Sequence, residues 1–145
     1  MAHAGGRRSG DDIRAVARAT LGVPLLRLVD ARLVDESDPK AGTSVVVDDA
    51  ALNAVGSLHA GIMATLLEVT AYLALLPDLA TTEEAATHAF SASYVRPSHA
   101  GDQLRCSATV SHRSRRLAFV GSRLERDGEL IATATVTKSI LSQPG

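Results

Sequence analysis

The chain has 145 residues, the length of one ordinary domain, and a formal net charge of −1. Hydrophobic residues make up 46% of it and charged residues 21%, which is typical of a soluble globular protein and gives no support for a nucleic-acid-binding surface. Only four residues are aromatic, and a small core of Ala, Val, Leu and Ile stabilises a chain only marginally. The composition therefore favours association between copies.

The N-terminal sequence "MAHAGGRRSGDD" has two arginines but no apolar segment behind them. It therefore predicts a disordered leader over residues 1–10 rather than a signal peptide, and a single domain over residues 11–145. Cys106 is the only cysteine and has no partner for an internal disulfide. We expect it to be a packed thiol in a protein of the reducing cytoplasm.

The first half of the chain predicts a helix, two strands and a second helix. Acidic residues begin "DDIRAVARATLGVP", and Gly22 with Pro24 ends it, which indicates a short helix. The segments "LLRLVDARLVDES" and "GTSVVVD" are predicted strands separated by the turn sequence "SDPKAG". Residues 53–76 follow, and their second half predicts one long apolar helix that ends at Pro77.

Strand patterns fill the second half. They are "ATHAFSASYV", the alternating "QLRCSATVSH", and the pair "RRLAFVGSRLE" and "ELIATATVTKSI", which flanks the hairpin signal Asp127-Gly128. The order of elements predicts an α+β fold in which an antiparallel sheet wraps one long central helix. A membrane span over Leu58–Leu76 is the competing interpretation. A carboxylate at its centre costs about 2.5–3.5 kcal/mol, and amphipathic strands follow it, so we expect no membrane span.

Glu68 is that carboxylate, and no Lys or Arg lies along the same helix. A helix that is apolar all round is normally buried, so an acid within it must find donors or take up a proton. The non-functional interpretation is a glutamate that reaches a polar rim or binds a nearby serine or threonine.

The sequence just before this helix contains groups that could stabilise a negative charge or hold a carbonyl. Gly56 and Gly61 permit tight backbone geometry, and the first helical amides, around residues 60–63, have no acceptor within the helix. Such amides, with the helix dipole, stabilise negative charge such as an oxyanion on a carbonyl. Asn53 and His59 add side chains that could hold a carbonyl or a water.

The spacing of these features bears on oligomeric state. Ala60 and Glu68 are eight residues apart, which is roughly 12 Å along a helix axis. One carbonyl carbon cannot meet both within one helix. If both act on the same bond, two antiparallel helices in a two-fold dimer would supply two shared sites.

The spacing of Asn53, "His59-Ala60-Gly61" and Glu68 resembles the hotdog-fold acyl-CoA thioesterases of the phenylacetate-degradation and 4-hydroxybenzoyl-CoA type. In that pattern an Asn or Gln precedes a His by six residues, and an Asp or Glu follows the His by nine. The similarity extends over about residues 45–140, including a Pro and a Gly-Asp before a strand and the late "DG" hairpin. Ala60 departs from the family's glycine, and Tyr72 stands where the family often has Ser or Thr.

The resemblance implies a role for each matching residue. Glu68 would be the nucleophile or the general base, and the Ala60 amide of the partner subunit would polarise the thioester carbonyl. Asn53 would position the water or the carbonyl, and His59 would orient the loop. Gly61 and Tyr72 are assigned to substrate binding.

The arginine cluster in "SHRSRR" is a second candidate for substrate binding. Arg113, Arg115 and Arg116 could bind the phosphates of coenzyme A, although charged residues at strand ends are also a common solvated rim. His88, His99 and His112 show no metal-ligand spacing, so no metal is predicted. No cofactor is expected beyond the coenzyme A that belongs to the substrate.

The leading functional hypothesis is a thioesterase acting on an acyl-CoA, aroyl-CoA or carrier-protein thioester, as a homodimer or a tetramer. A hotdog dehydratase or hydratase is an alternative, although the prolines of that branch are missing from "LHAGIMATLLE". A non-catalytic thioester-binding hotdog protein is the other alternative.

Overall fold

The computed structural model describes residues 5–143. Along the chain, one long helix follows two short strands and precedes four long strands. The helices are α1 (Gly10–Leu21), α2 (Pro24–Leu28) and α3 (Ala60–Leu75). The strands are β1 (Arg32–Leu33), β2 (Thr43–Val46), β3 (Glu83–Tyr94), β4 (Gln103–Arg113), β5 (Leu117–Arg126) and β6 (Glu129–Ser142).

The strands form one antiparallel sheet in the order β1-β2-β4-β5-β6-β3. Helix α3 lies against one face of it, and its side chains Leu66 and Leu67 are buried among apolar residues of β4, β5 and β6. β3 is an end strand, and its outer edge has no strand beside it within residues 5–143. The predicted α+β architecture, a sheet wrapped around one central helix, is confirmed.

Helix α3 and its final 3₁₀ turn, Ala60–Asp78, are long and apolar enough to cross a membrane by length and composition alone. In the structure the helix is the centre of the core. Leu67, Leu73 and Leu75 are fully buried against the sheet and against α1. The competing interpretation as a membrane span is therefore not needed to explain its composition.

The short N-terminal helix is confirmed as α1. Ser9 caps it by accepting a hydrogen bond from the Asp12 amide, and Asp12 reaches back to the Ser9 amide. Arg7 forms a β-bridge with Ala80, and the Arg8 side chain donates to the carbonyl of Glu83, so these two residues contact the segment that leads into β3. The disordered leader over residues 1–10 stays a prediction, and residues 1–4 lie outside the described residues.

The first strand prediction, "LLRLVDARLVDES", is wrong for most of its length. Pro24 stands at the first position of helix α2, where its missing N–H costs nothing. A helical turn then places Leu26 and Val29, three residues apart, in the core. Only Arg32–Leu33 pair as a strand, with β2.

The later strand predictions are confirmed. The apolar face of β4 points to the core, with Leu104 and Cys106 buried. Asp127 and Gly128 both have positive φ, 49° and 79°, as a two-residue type I′ hairpin requires. β3 begins at Glu83, three residues before the predicted start.

Candidate active site

The first turn of α3 leaves one amide available. His59 is the N-cap, and its Nδ1 accepts from the Gly61 amide at 2.9 Å. The amides of Ile62 and Met63 donate to the His59 carbonyl at 2.9 and 3.1 Å. The Ala60 amide has no acceptor within residues 5–143, and Ala60 is exposed. This N–H is therefore the free donor at the positive end of the helix.

The Gly61 amide is taken up by the hydrogen bond to His59, and the glycine also provides space beside the imidazole. A Cβ at this position would lie 3.1 Å from His59 Nδ1, so the absence of a side chain lets the imidazole cap the helix closely. Because Nδ1 accepts, the neutral ring carries its proton on Nε2. The role of His59 in orienting the loop stays a prediction.

Asn53 organises the loop before α3. Its Oδ1 accepts from the amides of Val55 and Ser57 at 3.1 and 3.0 Å, and its Nδ2 donates to Ser57 Oγ at 3.0 Å. Gly56 supplies the positive φ of 82° that the turn needs. Only one N–H of the Asn53 amide group remains for a ligand, so most of its bonding capacity serves the loop.

A second loop, residues 95–102 between β3 and β4, also holds the start of α3. The Leu58 amide donates to the Ser98 carbonyl at 2.7 Å. Asp102 holds that loop by accepting from the His99 amide at 2.8 Å and from Arg126 at 2.9 Å. The His99 hydrogen bond, with a smaller contribution from Arg126, keeps the pKa of Asp102 below its ordinary value.

Glu68 is held by one of its two oxygens. Oε1 accepts from Thr87 Oγ1 at 2.8 Å and from the Nζ of Lys138. Lys138 Nζ also donates to Thr87 Oγ1 at 2.9 Å, so the three groups form a closed triangle. Oε2 has no partner in the described part of the chain, and the Glu68 side chain is 36% exposed. The carboxylate is thus anchored on one side and open on the other.

A β-bulge brings Thr87 to this position. The register of β3 against β6 shifts between Thr87 and Ala89, which leaves His88 as the extra residue. Both Thr87 and Phe90 then face α3, although they are three positions apart in the sequence. Regular alternation over the strand would place one of them on the opposite face.

Lys138 was not identified as a site residue from the sequence. It lies on the buried face of β6, in the alternating series Ala132, Ala134, Val136, Lys138 and Ile140. That alternation is visible in "IATATVTKSI" and was a signal that a cation enters the core. The cation absent from the helix therefore comes from a strand 70 residues away.

Tyr72 lies one turn after Glu68 and flanks the ion pair. Its hydroxyl donates to Glu84 Oε1 at 2.9 Å, and its ring centroid is 5.7 Å from Lys138 Nζ. Burial, then the hydrogen bond to Glu84, raises the pKa of Tyr72 well above its ordinary value. Tyr72 is therefore a neutral phenol beside the acid.

The three arginines of the predicted phosphate site differ. Arg113 is half-buried and paired with Glu83, so its guanidinium is already engaged. Arg115 and Arg116 are exposed on the turn between β4 and β5, and within residues 5–143 neither forms an ion pair. They border a groove of about 650 Å³ that does not include Glu68 or Ala60.

Neither a cysteine nucleophile nor a metal site is found among the described residues. Cys106 is 2% exposed, and burial raises the pKa of its thiol to about 12, so it is not poised as a nucleophile. Within the described residues, no group of three or more His, Cys, Asp or Glu side chains could hold a metal ion.

Comparison with known families gives a match over more than half of the chain. The Thioesterase superfamily matches residues 55–137, a range that contains His59, Ala60, Glu68 and Thr87 and ends one residue before Lys138. No curated protein matches the sequence.

Solved structures agree with this match. A conserved protein from Pseudomonas aeruginosa is 26% identical, with a TM-score of 0.78 over 86% of this chain and 99% of its own. A candidate thioesterase related to phenylacetic acid degradation, from Ralstonia eutropha JMP134, is 29% identical, with a TM-score of 0.71 over 85% of this chain and 97% of its own. A hypothetical thioesterase from Streptococcus pneumoniae TIGR4, crystallised with coenzyme A, is 20% identical, with a TM-score of 0.64 over 71% of this chain and 82% of its own, and shows the fold alone.

The family match, the structural neighbours and the sheet wrapped around α3 agree with one another. The chain has the hotdog fold, belongs to the Thioesterase superfamily and is a thioester hydrolase.

Proposed function

We propose that the protein hydrolyses acyl- or aroyl-CoA thioesters in the cytoplasm, with Glu68 as the nucleophile or the general base. The observation that carries the proposal is the asymmetric environment of the Glu68 carboxylate. Oε1 is bound by Thr87 and Lys138, and Oε2 is open. A carboxylate that is fixed but not fully engaged can attack a carbonyl carbon or activate water.

Either route gives a free acid and a thiol. As a nucleophile, Oε2 attacks the thioester carbonyl carbon, the C–S bond breaks, and water hydrolyses the resulting anhydride. As a base, Oε2 takes a proton from water as the water attacks the same carbon, and the departing thiolate then receives a proton. Neither route requires a cofactor beyond the coenzyme A of the substrate.

The oxyanion of either intermediate needs a donor, and the proposed donor is the Ala60 amide of a second copy. Ala60 and Glu68 of one chain are roughly 12 Å apart along α3, too far for one carbonyl. Among the described residues no strand pairs with the outer edge of β3, which lies beside Thr87 and Glu68 and where a second copy could extend the sheet. A homodimer with two shared sites, or a tetramer of two such dimers, is therefore part of the proposal.

The first test replaces the acid. Glu68→Gln is expected to lower kcat for acyl-CoA hydrolysis at least a hundredfold, measured as release of free thiol. Glu36→Gln is the matched control, because Glu36 is an exposed surface glutamate. A Glu68→Gln enzyme that keeps more than a tenth of the wild-type rate would remove Glu68 from the mechanism.

The substrate panel also separates the alternatives. It should contain short, medium and aromatic acyl-CoAs, a carrier-protein thioester and an enoyl-CoA. Thiol release supports hydrolysis, and its profile names the acyl group and the carrier. Addition of water to the enoyl chain would indicate a hydratase, and binding without turnover would indicate a non-catalytic thioester-binding protein.

The second test asks whether the site is shared. Ala60→Pro deletes only the free amide, since proline is accepted at the first helical position and His59 already has the extended backbone, φ −61° and ψ 131°, favoured before proline. Ala60→Pro and Glu68→Gln should each be nearly inactive. Mixed dimers of the two variants contain one intact site if the site is shared, and should recover about half of the wild-type rate per dimer.

Folding of both variants is checked by circular dichroism, and the dimer by light scattering. Mixed dimers formed by co-expression and purified through two different tags exclude contamination by either parent. Inactive mixed dimers, or a monomeric wild-type protein, would contradict the shared site while leaving the role of Glu68 to the first test.

A phosphate-binding role remains proposed for Arg115 and Arg116, the two arginines of the "SHRSRR" cluster that form no ion pair within residues 5–143. The double change to alanine is expected to raise KM for acyl-CoA about tenfold or more, since charge-assisted hydrogen bonds to phosphate are lost. KM for an N-acetylcysteamine thioester, which lacks the phosphates, should not change. Arg27→Ala, an exposed arginine on α2, is the control. Equal changes for both substrates would contradict phosphate contact.

A further inference from the structure

Lys138 is an unusual residue for its position. It is 1% exposed and lies on the apolar face of β6 between Val136 and Ile140, which are also buried. Taking an ammonium group out of water costs several kcal/mol unless it is well paired. A valine or isoleucine would continue the series at no such cost, so packing of the sheet does not account for a lysine here.

Three groups surround the ammonium group of Lys138. Its Nζ contacts Glu68 Oε1, donates to Thr87 Oγ1 at 2.9 Å, and lies 5.7 Å from the centroid of the Tyr72 ring. Thr87 in turn donates its own hydrogen to Glu68 Oε1 at 2.8 Å. Both donors therefore meet the same oxygen of the carboxylate, and Tyr72 closes the third side.

We propose that Lys138 is a positioning residue for thioester hydrolysis. With Thr87, it fixes Oε1 of Glu68 so that Oε2 alone is presented to the thioester carbonyl or to the attacking water. This inference rests on the proposed role of Glu68. The family match covers residues 55–137 and ends one residue before Lys138.

The burial of Lys138 predicts which kinetic constant depends on it. The ammonium group is not accessible to a substrate, so its loss should affect the reacting carboxylate and not substrate binding. A carboxylate held by one donor instead of two reaches the productive geometry less often, and misplacement of a reacting group lowers kcat. The expected signature is a fall in kcat with KM nearly constant.

The experiment compares Lys138→Met with Lys40→Met. Methionine keeps the length and apolar stem of the lysine, and Lys40 is the only other lysine, on the surface in an exposed pair with Asp78. We expect Lys138→Met to lower kcat about 10–100-fold with KM changed less than about twofold. Lys40→Met should behave as the wild type. A kcat for Lys138→Met within twofold of the wild type would overturn the proposal.

A double-mutant cycle distinguishes positioning from a general structural effect. If Lys138 acts through Glu68, Lys138→Met should cause no further loss in a Glu68→Gln background. A loss of the same factor in both backgrounds would show that Lys138 acts independently of the acid and would overturn the proposal. Should Lys138→Met not fold, Thr87→Val removes the other donor at an exposed position and is expected to give the same kcat signature.

A crystal structure of Lys138→Met gives a readout that does not depend on turnover. The Glu68 carboxylate is expected to leave its position beside Thr87 or to adopt more than one conformer. An unchanged carboxylate would overturn the proposal even if the enzyme were slow. Loss of activity confined to Lys138→Met, with Glu68→Gln active, would instead count against the proposed function of Glu68.

Discussion

Glu68→Gln should destabilise the fold as well as impair catalysis, because it leaves the Lys138 cation buried without a counter-charge. Lys138 is 1% exposed, whereas the Glu68 side chain is 36% exposed, so the burial cost falls almost entirely on the lysine. In the variant, the ammonium group keeps the hydroxyl of Thr87, the ring of Tyr72 and a neutral amide oxygen as its surroundings.

The magnitude follows from the exposure of the pair. Breaking a fully buried ion pair by removing one partner costs about 3–5 kcal/mol. Glu68 is partly solvated, and the glutamine oxygen still accepts a hydrogen bond, so the cost should be about 1–3 kcal/mol. For a chain of this size, that lowers Tm by roughly 3–10 °C.

The assay is thermal unfolding followed by circular dichroism at one protein concentration, since self-association would make Tm concentration-dependent. Glu68→Gln combined with Lys138→Met removes the buried cation and should melt above Glu68→Gln alone. Glu36→Gln breaks an exposed pair with Arg18 and should change the unfolding free energy by less than about 1 kcal/mol. A Tm for Glu68→Gln within 1 °C of the wild type would refute this reasoning. A double variant that melts below Glu68→Gln would refute it as well.

Further predictions concern single features of the fold. Cys106 should not react with a thiol reagent at pH 8 until urea unfolds the protein, because burial raises its pKa to about 12; rapid reaction of the native protein would contradict this. Gly128→Ala should lower the unfolding free energy by about 1–2 kcal/mol in urea titrations, since φ is +79° in the β5–β6 turn, and a neutral effect would argue against a type I′ turn. His59→Ala should cost about 0.5–2 kcal/mol through loss of the α3 cap, with His59→Asn restoring part of it. Equal stability of the alanine and asparagine variants would show that the ring does not act as a cap.

Several features of the site were readable from the sequence because they depend on neighbours along the chain. The glycines before the helix and the unsatisfied amides around residue 60 both follow from local rules for starting a helix. The solitary position of Glu68 within an apolar helix was likewise visible, as was the hairpin at Asp127-Gly128. These features predicted the architecture and directed attention to the first turn of α3.

Other features depend on which strand lies beside which. The interpretation of "LLRLVDARLVDES" as a strand failed because a run of Leu and Val satisfies a helical turn as well as an extended chain, and Pro24 decides between them. Thr87 reaches Glu68 only because the bulge at His88 changes which residues of β3 face α3. The residue periodicity of the strand does not predict a bulge.

The pairing of Lys138 with Glu68 shows what the sequence determines by itself and what only the tertiary structure decides. Alternation along β6 determines by itself that Lys138 points into the core, as the spacing along α3 determines that Glu68 lies two turns past the free amide. Neither pattern contains the distance between them, since the residues are 70 positions apart. Only the order of strands in the sheet, which sets β6 and β3 beside the middle of α3, brings a cation and a hydroxyl to one oxygen of that acid.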